Sequence, residues 1–195
     1  MGNKILIITD NHKLQDVSYW ELMDAGYDSI GYEMQYLLPR SESFTFFLHH
    51  NKHHLIAARG SYPFKYFCEQ FNGTHVFSGC EQNDIDKLID QFNIKKFIIH
   101  SPASHPKTLH ASVLPFVIES NYTAIVMVGM ASNDKRKFHM VAYIQPHLNK
   151  LSDDDDIDEW KKWAKIAQEK NINIVSIPKN ATNGVIETSD LGSLF

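Results

Sequence analysis

Short, continuous apolar runs separated by polar stretches with helical periodicity make up most of the chain. Lys4 to Thr9 (KILIIT), Lys96 to His100 (KFIIH) and Thr123 to Met130 (TAIVMVGM) are apolar without alternation, the pattern of strands covered on both faces. His75 to Phe77 and Ile172 to Ile177 read as shorter strands, and Phe138 to Ile144 as a strand joined to Thr123–Met130 by the polar loop Ser132 to Arg136. Between the runs lie helices. Tyr62 to Phe71 has Pro63 in its first turn. Ile85, Leu88, Ile89 and Phe92 make one apolar stripe opposite Asp84, Asp86, Lys87 and Asp90. Ser104 and Pro106 open a helix carrying Leu109, Val113, Phe116 and Val117 inward, with a distortion expected at Pro115. Ser152 and Asp155 form a capping box before a helix whose buried stripe is Ile157, Trp160, Ala164 and Ala167, with Trp163 at its margin. Tyr19 to Leu38 is helical in character, interrupted around Gly26. Phe44 to Leu48 and Leu55 to Ala58 flank Asn51-Lys52 and predict a β-hairpin near 44–58, with His49, His50, His53 and His54 around an exposed turn. The sum is an α/β fold: one domain over 1–195, a mixed β-sheet with helices on both faces, three-layered and Rossmann-like in part.

Composition sharpens this picture without changing it. At 43% hydrophobic and 22% charged residues, the chain has enough apolar material for a real core. A net charge of -4 lacks the basic footprint of a protein that neutralises many phosphates, so nucleic acid is not an expected partner. No apolar run approaches a membrane span, and Met1 leads directly into the first strand-like run, so the expectation is no membrane partner and a cytoplasmic location. Two cysteines, Cys68 and Cys80, make no disulfide framework.

Candidate chemistry gathers at strand ends. Eleven histidines are present, and imidazole is both a common metal ligand and a proton carrier near neutral pH. The first strand run finishes at Asp10 and His12, the second at Ser78 and Cys80, the third at His100, Ser101 and His105. In open α/β sheets ligands bind outside the carboxyl ends of the strands, so neighbouring parallel strands would bring these tails into one cleft. The expected enzyme is hydrolase-like. His100, Ser101 and Cys80 are its catalytic candidates, and Asp10, His12 and His105 its ligands for a divalent metal such as zinc; the substrate is a small molecule or peptide. The alternatives are structural: Asp10 as a loop cap, His100 as a hydrogen-bonded core histidine, and His105 as the residue ahead of a helix.

Asp10-Asn11-His12 resembles the first Asp-x-His element of calcineurin-like metallophosphoesterases, whose Gly-Asp, Gly-Asn-His and Gly-His-x-His elements this chain lacks. His100-Ser101-Pro102-Ala103-Ser104-His105-Pro106 resembles the metal motif of polysaccharide deacetylases, but its histidines are five apart rather than four and one aspartate stands where that family has two. Neither resemblance amounts to membership. A thiol hydrolase using Cys68 and His139 is a further alternative, although Cys68 within Tyr66-Phe67-Cys68 reads first as a small buried hydrophobe. Asp153 to Asp156 suit the first turn of a helix. A non-catalytic reading uses Tyr62, Phe64, Tyr66 and Phe67 around Gly60, together with Trp163, as surface for a protein partner or a homo-oligomer.

Overall fold

The computed structural model describes residues 3–9, 14, 16–50, 52–102, 113–129, 153–177, 187–189 and 191–194. Eight strands form one sheet: β1 (Lys4–Ile8), β2 (Asp28–Tyr32), β3 (Phe46–His49), β4 (Thr74–Ser78), β5 (Phe97–His100), β6 (Ala124–Val128), β7 (Asn173–Ile177) and β8 (Glu187–Thr188). Their spatial order is β5-β4-β3-β2-β1-β6-β7-β8, and every pairing among them is parallel. The chain winds outward from β1 to β5, then resumes on the other side of β1. This doubly wound α/β order has its switch point between β1 and β6.

The expected mixed sheet is therefore a parallel one among the described residues, and the expected hairpin near 44–58 is absent. Its first half is β3, but its second half belongs to the helix α2 (Lys52–Arg59). Leu55 and Ala58, three positions apart, point into the core as a helix requires, and no turn glycine closes a hairpin there. Parallel neighbours also need a crossover, which α2 and α3 (Tyr62–Gln70) supply between β3 and β4.

The segment Tyr19 to Leu38, expected to be mostly helical, is helical only at its start. There α1 (Tyr19–Asp24) ends ahead of Gly26, whose φ is +90°, and β2 follows. Asp28, Ser29 and Gly31 are weak strand formers, and β2 exists because β1 and β3 pair with it on either side. Gly31 is required there: a Cβ would lie 2.6 Å from the Phe44 ring.

Strand alternation divides the apolar residues between two cores. Leu6, Ile8, Phe47 and Phe77 face α2, α3 and α4 (Gln82–Phe92), where they meet Leu55, Phe64, Phe67, Ile85 and Leu88. Ile5, Ile7, Ile30, Leu48 and Val76 face α5 (Leu114–Glu119) and α6 (Asp153–Glu169), meeting Val117, Ile118, Trp163 and Ala167. Helices thus cover both faces. Three helices are followed by a left-handed asparagine, Asn93, Asn121 and Asn171, which turns the chain back into the next strand. Pro115 sits in the first turn of α5, and Trp163 is buried rather than marginal. The expected strand at 138–144, the helix start at Ser104 and the Ser152 cap lie outside the described residues. Among the described residues no helix is long and apolar enough to cross a membrane.

Candidate active site

At its carboxyl end β4 stops at Ser78, and Gly79 turns the chain with φ +66° before Cys80. Ser78 stands directly across from His100, the last residue of β5. Being cross-strand partners, the two side chains leave the sheet on the same face, the one that carries α5. That helix brings Phe116 edge-on to the imidazole, at 5.5 Å between centroids, and Glu119 to its far side.

The result is a chain of two hydrogen bonds. Ser78 Oγ lies 2.9 Å from His100 Nδ1, and His100 Nε2 lies 2.8 Å from Glu119 Oε2. The polar chemistry selects the tautomer. An ionised carboxylate only accepts, so Nε2 carries the proton; with the ring neutral, Nδ1 then offers its lone pair to the Ser78 hydroxyl. Exposure increases along the chain: Ser78 is 5% exposed, while the side chains of His100 and Glu119 are 11% and 39% exposed. Among the described residues both ring nitrogens of His100 are thus occupied, one by Ser78 and one by Glu119.

The opposite face of the same strands holds a second histidine site. His49 Nε2 and His75 Nδ1 are 3.0 Å apart, with both residues buried. Phe47, Phe64, Phe67, Phe71 and Phe77 surround the two rings. Burial pushes the His75 imidazole down to about 4, so it is neutral at ordinary pH. One ring must donate and the other accept across the 3.0 Å contact, which a doubly protonated pair cannot do. His49 therefore belongs to the core and not to the exposed turn expected for it. His50, next along, lies 3.5 Å from Glu33, a non-glycine residue held at φ +52° beyond β2.

Of the other expected site residues, Cys80 and Ser101 are described, and neither is a member of the Ser78–His100–Glu119 chain. Cys80 turns its Sγ towards the His49 carbonyl at 3.4 Å, and burial pushes its thiol up to about 11. Ser101 is exposed beyond the end of β5. Asp10, His12 and His105 lie outside the described residues, as does His139. The strands that lead to Asp10 and to His100 run the same way, but β2, β3 and β4 separate them, four inter-strand steps or about 19 Å. The adjacency on which their convergence rests is not found, whereas β4 and β5 are neighbours. Among the described residues no three His, Cys, Asp or Glu side chains stand together as a metal site. Cys68 is half-buried and pushed up to about 12, chiefly by burial, which agrees with a small core hydrophobe. Of the four expected partner-facing aromatics, Tyr62 and Tyr66 are exposed, but Phe64 and Phe67 are core residues.

Glu119 carries no signal in the sequence: it ends a short helix, 19 positions from the histidine it binds. His75 does carry one. It alternates with Val76 and precedes Phe77 in a run too apolar to face water, although nothing there names His49 as its partner. Compared with protein-family models, with curated proteins and with solved structures, the chain matches none.

Proposed function

We propose that this protein is a hydrolase-type α/β enzyme in which Ser78 is the nucleophile, His100 its general base and Glu119 the carboxylate that orients the imidazole. The observation that carries this reading is the unbroken Ser78–His100–Glu119 hydrogen-bond chain at the carboxyl ends of neighbouring parallel strands. In the reaction, Ser78 Oγ bonds to the carbonyl carbon of an ester as its proton passes to His100 Nδ1. Glu119 stabilises the resulting imidazolium. The carbon–oxygen bond to the leaving alkoxide breaks, the alkoxide takes the proton from Nδ1, and water, deprotonated by the same nitrogen, hydrolyses the acyl-serine. The narrow exposure of Ser78 favours a small acyl group.

The test is covalent. A small fluorophosphonate should modify wild-type protein at one site, mapped to Ser78 by peptide mass spectrometry, and the protein should cleave a short-chain aryl ester. Ser78→Ala should abolish labelling, and His100→Ala should slow it, with melting temperature recorded for each variant. Wild-type protein that neither labels nor hydrolyses would remove the reading.

A second reading, a non-catalytic binding or assembly module, is favoured by the exposed apolar edge strand β5, at which Phe97, Ile98 and Ile99 are each at least 40% exposed. In that case Ser78 and Glu119 are ties that fasten the edge strand to the body. The same variants would then lower the melting temperature with no activity to lose.

A further inference from the structure

Among the described residues β5 ends the sheet, and its outer edge has a definite polarity. The carbonyls of Lys96 and His100 accept from His75 and Gly79 of the β4 segment, so the backbone groups of 96, 98 and 100 face inward. Alternation then turns the N–H and C=O groups of Phe97 and Ile99 outward, away from β4. Among the described residues no strand pairs with them. The side chains at this edge are apolar on both faces, Ile98 on the α5 side and Phe97 and Ile99 on the other, and all are substantially exposed.

We propose that this edge is a dimer interface in which β5 pairs antiparallel with β5 of a second copy of the chain, the two-fold axis passing at Ile98. The backbone selects this register. With Ile98 opposite the partner's Ile98, Phe97 faces the partner's Ile99, and Ile99 faces the partner's Phe97. These are the residues whose hydrogen-bonding groups point outward, so each pair exchanges two bonds. Side chains agree: isoleucine meets isoleucine on one face, and phenylalanine meets isoleucine on the other.

Charge agrees as well. In this register Lys96, whose exposed ammonium donates to the Asn72 carbonyl at 3.0 Å, stands opposite the partner's His100, whose imidazole holds the partner's Glu119. Swung off that exposed contact, the Lys96 ammonium comes within reach of the partner's Glu119, and no like charges face each other along the strand. A strand whose outward backbone groups, apolar side chains and lysine position all find their complement in a copy of itself fits a second copy better than an unrelated chain. The pairing extends the sheet through both protomers and stands independently of the hydrolase reading.

Sedimentation equilibrium of the full chain should give twice the 22.4 kDa chain mass. Ile98→Lys sets two ammonium groups against each other at the axis and should halve the mass while leaving circular dichroism unchanged. Ile98→Cys places the substituted positions at a Cα separation of about 4.5 Å, within disulfide range, so mild oxidation should cross-link the dimer through position 98. Wild-type protein that remains at the chain mass from micromolar to near-millimolar loading would overturn the proposal, leaving the edge to a different partner. A dimer that Ile98→Lys does not split and Ile98→Cys does not cross-link would also overturn it. Slow hydrogen exchange at Phe97 and Ile99 in a monomer would instead mean that another segment of this chain covers the edge.

Discussion

On one face of the β3–β4–β5 corner, His49 and His75 share a hydrogen bond among phenylalanine rings; on the other, His100 spans Ser78 and Glu119. The residue type and the sheet are the same, and strand alternation sends them apart. His75 falls on the Phe77 face, while Ser78 and His100 fall on the Val76 face. The surroundings then decide the chemistry. Around His75 the largest influence is desolvation, which opposes a proton and leaves that ring neutral and suited to packing. Around His100 the surroundings are polar, with an exposed carboxylate on one ring nitrogen and a serine on the other. A histidine-rich sequence thus yields one buried structural pair and, on the other face, the site proposed to be catalytic.

The comparison breaks most sharply at Ser78. Replacing it with alanine should lower ester turnover by about 10³-fold or more, as expected for removing the nucleophile of such a unit. His75→Phe, on the other face, should leave turnover within a few-fold of wild type. Equal losses in both variants would show that the sites are not separate.

The two thiols report on how dry the phenylalanine face is. Against an ordinary value of 9, Cys68 at about 12 has roughly 10³-fold less thiolate at neutral pH, and Cys80 at about 11 roughly 10²-fold less. Alkylation of the native protein should be slower by comparable factors than after denaturation. Rapid native modification of Cys68 would mean that water reaches the helices over that face, and would revive the thiol route.

Stability should respond in the reverse sense to activity. His49→Ala or His75→Ala opens a cavity and removes the imidazole–imidazole hydrogen bond, which should cost about 2–4 kcal/mol in denaturant unfolding. Glu119→Gln, at a half-exposed site, should cost about 1 kcal/mol or less while slowing turnover.

The gentlest probe is pH. Because folding lowers the His75 value from 6.5 to about 4, the unfolded chain binds the extra proton between those values. Stability from this group is complete above about pH 6.5 and is lost progressively as pH falls towards 4, by at most about 3 kcal/mol. His75→Phe should flatten that part of the stability profile. An unchanged slope would assign it to other groups.

Much of the fold is legible in the sequence. The runs KILII, FIIH and AIVMV are strands within a residue or two of their expected limits, and the stripe Ile85, Leu88, Ile89 and Phe92 marks a helix. These succeed because a continuous apolar run or a helical stripe already states how its residues are to be buried. The element DSIGY defeats such reasoning, because its pairing with β1 and β3 overrides its own weak preference. KHHLIAAR defeats it differently, being too short for its period to show beside a plausible turn. At the site, His100 and the end of β4 at Ser78 are visible as polar residues closing apolar runs. Glu119 is not, since its role comes from where α5 lies.

The sequence by itself determined the class of the protein: an α/β chain with buried strands, helices between them, and reactive side chains at strand ends. Only the tertiary structure decided which of those ends meet. Strand order set β4 beside β5 and put three strands between β1 and β5, while the path of α5 brought Glu119 to His100. Local patterns record how each segment hides its apolar surface, a property of neighbours in the chain. The neighbours of a strand in the sheet are chosen by the packing of the whole, and catalytic geometry depends on that choice.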